Sequence, residues 1–229
     1  MMQTLEVLID FQSLMPKAQS PGREQRRMEW GMIGLAAVLA YLIGSFPTGY
    51  LVGRLRGVNV LEQGSGRTGG TNVFRSAGLA AGLLTGAVDI GKGALAVWLA
   101  GQLTGQPAAE VLAGAAVILG HNHSIFLRFR GGAGVGTSLG ALGAIYLPAA
   151  VALVILLLVI IAITRYASVG SLTVVSLMPI ILLALTLLNV LPWLYVGYGL
   201  LAWIIIVLAH RPNIRRLLQG TERRLGGSA

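Results

Sequence analysis

Apolar segments dominate this chain and determine the class of fold it can adopt. The run from Val135 to Thr164 has no charged residue and is too long for one ordinary membrane span, and Pro148 removes a helix hydrogen bond near its middle. We therefore divide the run at that proline. The sequence then predicts an all-α integral membrane protein of about seven short transmembrane helices, at residues 30–53, 79–103, 108–122, 135–147, 149–164, 168–189 and 192–209.

The composition agrees with a membrane protein and excludes several kinds of chemistry. The mean hydropathy is +0.77, and 55% of the residues are hydrophobic while only 11% are charged. Because the chain has no cysteine, disulfides, thiolate catalysis and cysteine-based metal sites are excluded. The net charge of +9 is an arginine excess, which in a membrane protein signals topology or attraction to phosphate rather than nucleic acid.

The arginines also predict an orientation, because basic loops face the cytoplasm. They follow every odd-numbered span, whereas the loops near 104–107, 147–148 and 190–192 contain no Lys or Arg. The N-terminus is therefore expected outside and the C-terminus in the cytoplasm. The basic residues before the first span contradict this orientation, and a start at Met28 would remove the contradiction.

The chain is expected to form one transmembrane domain with short ends of different composition. Residues 1–28 contain proline, glycine and charges without clear periodicity, which predicts a disordered tail and not a signal peptide. Residues 29–225 form the domain, and residues 226–229 are a flexible C-terminus.

Two glycine-rich loops lie on the predicted cytoplasmic face. One reads GSGRTGGTN over residues 64–72, and the other reads GGAGVGTS over residues 131–138. Glycine lets backbone amides converge on a phosphate, and neighbouring hydroxyls or arginines add further donors. The alternative is that the glycines only let short helices pack closely. Neither loop is a Walker A loop, since the Gly-Lys-Ser/Thr ending is missing.

The titratable residues in or near apolar segments have competing interpretations. A zinc site is not expected, because no two histidines lie one helical turn apart beside a carboxylate. His121 and His210 are better explained as hydrogen-bonding residues, with a general base as the alternative. Asp89 and Lys92 lie three residues apart and are expected to form a structural ion pair near a helix end. Residues 213–226 resemble an amphipathic helix of the inner leaflet.

Three motifs in this order resemble the bacterial acyl-phosphate:glycerol-3-phosphate acyltransferase family. They are GSFPTGYLVGRLRGVNVLEQGSGRTGGTNVFR, GHNHSIFLRFRGGAGVGTS and HRPNIRRLLQGTE, and the resemblance covers about residues 30–225. It implies an enzyme of the bacterial inner membrane, with its active face in the cytoplasm. This enzyme would transfer a fatty acyl group from acyl phosphate to the sn-1 hydroxyl of glycerol 3-phosphate, giving lysophosphatidic acid and phosphate in phospholipid biosynthesis. No cofactor, metal, nucleic acid or obligate protein partner is implied.

The resemblance also implies roles for individual residues. The expected catalytic residues are Ser65, Arg75, His210 and Asn213. The expected substrate-binding residues are Gly64, Gly66, Arg67, Thr71, Asn72, His121, Gly131, Gly132, Gly134 and Thr137. Glu222, like Asp89 and Lys92, is expected to be structural.

Two positions depart from the family pattern. Ala133 stands where the second motif normally has lysine, and Arg67 stands where the first motif normally has asparagine. We hypothesise that Arg67 compensates for the missing charge, which requires the two glycine-rich loops to meet. Because the lysine charge is missing at Ala133, the alternative function is that of a catalytically weak or inactive paralogue. Such a paralogue would bind a phosphorylated lipid or metabolite or a partner protein. A transporter is disfavoured by the short, uncharged outer loops.

Overall fold

The computed structural model describes residues 22–226, and apart from an isolated bridge between Ser124 and Arg130 the regular structure in that part of the chain is helical. A single 3-10 turn covers Ile125–Leu127. The α-helices are α1 (Arg23–Ser45), α2 (Thr48–Leu55), α3 (Gly70–Ala77), α4 (Leu79–Thr104), α5 (Pro107–Asn122), α6 (Val135–Ile145), α7 (Leu147–Thr164), α8 (Ala167–Leu187), α9 (Leu194–Ala209) and α10 (Arg211–Leu218).

The chain divides into two compact units, Met1–Gly31 and Met32–Ala229. In the first unit, the structure describes the start of α1. The disordered tail predicted for residues 1–28 is wrong for residues 23–28, because the sequence REQRRM consists of strong helix formers and continues into the first apolar segment. The predictions for residues 1–21 and 227–229 lie outside the described residues.

Each predicted apolar segment contains a helix, but the helices differ in length. Among the described residues, four are long and apolar enough to cross a bilayer, or five if the bent pair α9 and α10 forms one span. Helix α6 has only 11 residues, and α5 and α9 have 16 each. A full span needs roughly 20 residues, so these helices are short for a bilayer.

Prolines explain two of the helix boundaries. The first apolar segment is broken between α1 and α2, because Pro47 supplies no N–H and disfavours helical backbone at Phe46. The predicted division near Pro148 is confirmed, although it falls at Tyr146, and Pro148 lies in the first turn of α7. A helix was not predicted inside residues 64–72, yet α3 begins at Gly70, after an extended Gly69.

Helix α4 lies at the centre of the larger unit and contacts α2, α3, α5 and α6. Its contact with α6 depends on two glycines, Gly93 in α4 and Gly140 in α6, which have no side chain. A Cβ on Gly93 would lie 2.0 Å from the Thr137 carbonyl oxygen, and one on Gly140 would lie 1.8 Å from that of Ile90. Glycine therefore permits this backbone contact, as in other membrane helix pairs. The contact places the start of α6 beside the polar middle of α4.

Candidate active site

The loop between α2 and α3, which we call the serine loop (residues 56–69), is held in shape by the buried Asn72. Its side-chain oxygen accepts a hydrogen bond of 2.9 Å from the Ser65 backbone N–H. Its side-chain nitrogen lies within hydrogen-bond distance of three carbonyl oxygens, those of Val60, Gln63 and Arg67. A Cβ at Gly64 would lie 2.2 Å from the Asn72 side-chain oxygen. These contacts leave Ser65 exposed at the surface of the loop.

The second loop, the glycine loop (residues 131–134), folds directly over the end of α5. The Gly132 N–H donates to the His121 carbonyl oxygen at 3.0 Å. A Cβ on Gly131 would meet that oxygen at 2.1 Å, and one on Gly132 would lie 2.0 Å from the His121 Nε2 atom. Gly134 has a φ of +85°, which favours glycine. Gly131 and Gly132 are thus required by their close approach to His121, whether or not the loop binds a ligand.

The glycine loop leads into a helix start with free hydrogen-bond donors. In the region from 22 to 226, no side chain caps α6, and no carbonyl accepts from the N–H groups of Val135, Gly136 or Thr137. The Thr137 hydroxyl and the Asn122 side-chain amide are buried without a partner among the same residues. A helix N-terminus with extra buried donors is an environment that binds anions.

The serine and glycine loops meet, as the compensation hypothesis requires. The Thr68 N–H donates to the Gly131 carbonyl oxygen at 3.3 Å. The Arg67 guanidinium then turns toward the junction of α9 and α10, where it donates to the Asn213 side-chain oxygen at 3.2 Å and to the Ala209 carbonyl oxygen. Arg67 therefore connects the serine loop with the third motif.

Glu222 joins the C-terminal segment (residues 210–226) to the helices. Its carboxylate accepts hydrogen bonds from Asn213 at 2.8 Å, Ser168 at 2.9 Å and Arg216 at 2.8 Å. Burial raises the pKa of Glu222, but the bonds from these partners outweigh burial and hold the pKa below its usual value. The side chain is therefore ionised at neutral pH and connects α8 with α10.

Two histidines occupy different environments at the site. His210 is buried, and its Nδ1 lies 2.8 Å from the Ile206 carbonyl oxygen, so Nδ1 carries a proton. In the neutral ring this leaves Nε2 as an acceptor. His121 is also buried, and its Nδ1 lies 3.5 Å from the Asp89 carboxylate. His210 is therefore a hydrogen-bonding histidine, as predicted, whereas His121 has only an electrostatic contact with Asp89 through Nδ1.

Arginines give this region a positive field. The guanidinium of Arg75 donates to the Arg223 carbonyl oxygen at 3.0 Å, and its Nε is buried without a partner among residues 22–226. Burial lowers the pKa of both Arg67 and Arg75, and Glu222 raises it in each. Arginine nevertheless stays charged at neutral pH. Only Arg216 contacts the Glu222 carboxylate directly, so Arg67 and Arg75 keep positive charge that can attract a further anion.

The expected ion pair between Asp89 and Lys92 is confirmed, with 2.8 Å between the carboxylate and Nζ. The pair does not lie near a helix end, because Asp89 is in the third turn of α4 and both side chains are buried. Lys92 also donates to the Phe46 carbonyl oxygen at the break between α1 and α2. In the described part of the chain, no group of three His, Asp or Glu side chains is arranged to hold a metal.

Sequence reasoning found most of these residues but missed several of their partners. Ser168 and Arg216 were not predicted, although Arg216 lies within the third motif. Asn122 follows His121 in the second motif and also received no role. Of the predicted residues, Gly66 and Thr71 lie in or beside the serine loop, where Gly66 has a positive φ and Thr71 is exposed.

A family model described as glycerol-3-phosphate acyltransferase matches residues 34–220, which is most of the chain. The chain belongs to this family. Among curated members, a glycerol-3-phosphate acyltransferase of Thermosynechococcus vestitus is 40% identical over 208 residues, which cover 86% of this chain and 97% of that protein. A glycerol-3-phosphate acyltransferase 2 of Moorella thermoacetica is 44% identical over 193 residues, covering 84% and 97%.

Solved acyltransferase structures share the fold of this family member. PlsY (YgiH), an integral membrane glycerol 3-phosphate acyltransferase, superimposes in its glycerol 3-phosphate form with a TM-score of 0.77 and 32% identity, over 85% of this chain and 96% of that one. Its lysophosphatidic acid form gives a TM-score of 0.75 at the same identity. These relatives are named as enzymes, which does not favour the non-catalytic alternative.

Proposed function

We propose that this chain transfers a fatty acyl group from acyl phosphate to the sn-1 hydroxyl of glycerol 3-phosphate, releasing lysophosphatidic acid and phosphate. Acylation of glycerol 3-phosphate in phospholipid synthesis is the activity of the family to which the chain belongs. The observation that supports the proposal most directly is the junction of two anion-binding elements. The hydrogen bond from Thr68 to Gly131 links the free N–H groups at the start of α6 to the serine loop, which carries Arg67.

Two anion-binding elements suit a reaction between two phosphate-bearing substrates. Both substrates carry negative charge, and holding them side by side requires positive charge and oriented N–H donors on both. We assign one phosphate to the glycine loop and the Thr137 hydroxyl, and the other to the arginines. Ser65, His210 and Asn213 surround the space between them in this proposal. Asn72 then acts by shaping the serine loop, because its amide is already bonded to the backbone.

The chemistry needs neither a nucleophilic side chain nor a metal, because an acyl phosphate is an activated mixed anhydride. The glycerol hydroxyl oxygen attacks the carbonyl carbon and forms the ester C–O bond. The anhydride C–O bond breaks, and phosphate leaves with the electron pair. The hydroxyl proton passes to a phosphate oxygen, so the protein's contribution is orientation and neutralisation of charge.

Ala133 removes one positive charge that the family pattern places in the glycine loop. A charge-assisted contact in a dry site is worth a few kcal/mol, or roughly a hundredfold in rate. In this proposal Arg67 offsets part of that loss from the neighbouring serine loop, where its guanidinium donates to Asn213 and Ala209 and its neighbour Thr68 bonds to the glycine loop.

The proposed topology has seven short membrane segments, with the N-terminus outside and the reaction at the cytoplasmic face of the bacterial inner membrane. Arginine follows the first, third, fifth and seventh predicted spans, whereas the loops near 104–107, 147–148 and 190–192 carry no Lys or Arg. Helix α10 begins with a bend of 61° from α9 and exposes Leu218. This geometry suits a helix that lies along the inner leaflet.

The test is acyl transfer by the purified protein in detergent or lipidic mesophase, with palmitoyl phosphate and labelled glycerol 3-phosphate. Palmitoyl-coenzyme A in place of palmitoyl phosphate tests the donor. We expect lysophosphatidic acid only with the acyl phosphate, a loss of product in Ser65→Ala, and higher turnover in Ala133→Lys. The control is Ser176→Ala, since that hydroxyl contacts Trp203 away from the site. A folded wild type and a folded Ala133→Lys that both give no product would refute the proposal.

A further inference from the structure

A buried network of three titratable side chains lies below the glycine loop. Asp89 and Lys92 come from α4, and His121 comes from the end of α5. All three are more than nine-tenths buried. Burying an ion pair costs desolvation free energy. If Asp89 and Lys92 only stabilised α4, His121 would not be needed beside them.

The contacts of the His121 ring fix its direction. The Nδ1 atom faces the Asp89 carboxylate, and the opposite nitrogen, Nε2, lies so close to Gly132 that a Cβ there would be 2.0 Å away. The contact at 3.5 Å is electrostatic, and a carboxylate that faces a neutral imidazole favours the tautomer with its hydrogen on Nδ1. The Nε2 edge is then free of hydrogen where it meets the Gly132 backbone.

Lys92 completes the arrangement from the other side. Its Nζ lies 2.8 Å from the Asp89 carboxylate and 3.3 Å from the Phe46 carbonyl oxygen at the break between α1 and α2. The ammonium therefore holds the carboxylate in a fixed place within the bundle. A fixed carboxylate can orient an imidazole ring, as outer partners do for histidines in other sites.

We propose that Asp89 is a positioning residue of the acyl-transfer site, which fixes the tautomer and orientation of His121 so that the ring supports the glycine loop from below. His121 acts as the platform on which Gly131 and Gly132 rest, and Lys92 anchors Asp89. The loop in turn carries the free N–H groups at the start of α6. The link to catalysis rests on the proposed function, whereas the arrangement of the ring does not.

The first test needs only the wild-type protein without substrate. The chain has three histidines, so nitrogen-15 spectra of histidine-labelled protein at pH 8 are assigned with His123→Gln and His210→Gln as references. We expect the His121 ring to carry a hydrogen on Nδ1, the nitrogen that faces Asp89. A ring with its hydrogen on Nε2 alone would overturn the proposal. Because turnover is not measured, this result is independent of the acyl-transfer assignment.

The second test separates positioning from a structural ion pair. Replacing a buried ion pair by apolar residues of similar size is often neutral for stability, so Asp89→Leu combined with Lys92→Met is expected to remain folded. If Asp89 positions His121, the KM for at least one phosphate-bearing substrate rises about tenfold, the size of a typical coupling between residues in contact, while kcat changes little. A folded double variant with wild-type KM values and an unchanged His121 spectrum would overturn the proposal.

The matched control for the kinetic test is Glu110→Gln. Glu110 lies at the opposite end of α5, where its carboxylate accepts a hydrogen bond of 2.6 Å from the Tyr195 hydroxyl. Neutralising this carboxylate alters a polar contact of the same helix without touching the glycine loop. We expect wild-type KM values for Glu110→Gln, and an equal rise in KM for the control and the double variant would count against a specific role for Asp89.

Discussion

The variant Gly132→Ala tests whether the glycine loop must rest on His121. The added Cβ would lie 2.0 Å from Nε2, 2.7 Å from Cε1 and 2.9 Å from Cδ2 of the ring, whereas ordinary contacts begin at 3.4 Å. The ring cannot swing aside, because it is buried and its other edge faces Asp89. The loop must therefore move by more than an ångström.

A displacement of that size has a predictable cost. Misplacing bound groups by about 1 Å reduces catalysis by roughly a hundredfold, and overpacking a buried contact costs about 1–3 kcal/mol of stability. We expect kcat/KM for acyl transfer to fall about a hundredfold in Gly132→Ala, with a modest loss of thermal stability. The assay uses palmitoyl phosphate and labelled glycerol 3-phosphate, together with a thermal unfolding curve for each variant.

The control for this experiment is Gly143→Ala in α6, the helix that follows the glycine loop. A Cβ at Gly143 has its nearest neighbour, the Ala150 Cβ, at 3.6 Å, which is an ordinary contact. Gly143→Ala is therefore expected to keep wild-type kcat/KM. If Gly132→Ala also keeps wild-type kcat/KM in a folded protein, the glycine loop does not position a substrate and the reasoning fails.

Three further variants test the other parts of the site. Arg67→Asn alone is expected to lower kcat/KM roughly tenfold or more, and combining it with Ala133→Lys should restore activity; effects of the two substitutions that simply add would refute compensation. Arg75→Lys keeps the charge but loses the planar guanidinium, so we expect a higher KM for glycerol 3-phosphate or palmitoyl phosphate, and unchanged KM values would contradict a binding role. Glu222→Gln should lower the melting temperature at pH 7, because a carboxylate with a depressed pKa stabilises the fold above its unfolded pKa of about 4.3. That stabilisation is lost as pH falls through the folded pKa, so the difference from wild type should shrink in acid, and a constant difference would refute it.

The sequence predicted the helices better than it predicted their interruptions. Apolar length places a helix at every expected segment, since the signal is local. The break at Phe46 follows from Pro47, a local signal, whereas no pattern within the first segment indicates that Lys92 of α4 donates to the Phe46 carbonyl oxygen. The start of α3 at Gly70 was missed because glycine and hydroxyl residues are typical of a loop.

The site was predictable where its motifs are contiguous and unpredictable where distant residues meet. The pairing of Asp89 with Lys92 followed from their spacing on one helix face. The contact between Asp89 and His121 joins two helices, and that between Ser168 and Glu222 joins residues far apart in the chain. Such contacts follow from packing, which a single sequence does not encode as a local pattern.

The hydrogen bond from Thr68 to Gly131 joins two loops through the main chain alone. Side-chain substitutions leave both of its atoms in place, and among single replacements at position 68 only proline deletes the donor. Substitutions in either loop can thus leave this hydrogen bond, and the contact between the two loops, in place. The bond is therefore the same whether the positive charge lies on the serine loop, as Arg67 does here, or on the glycine loop, where Ala133 carries none.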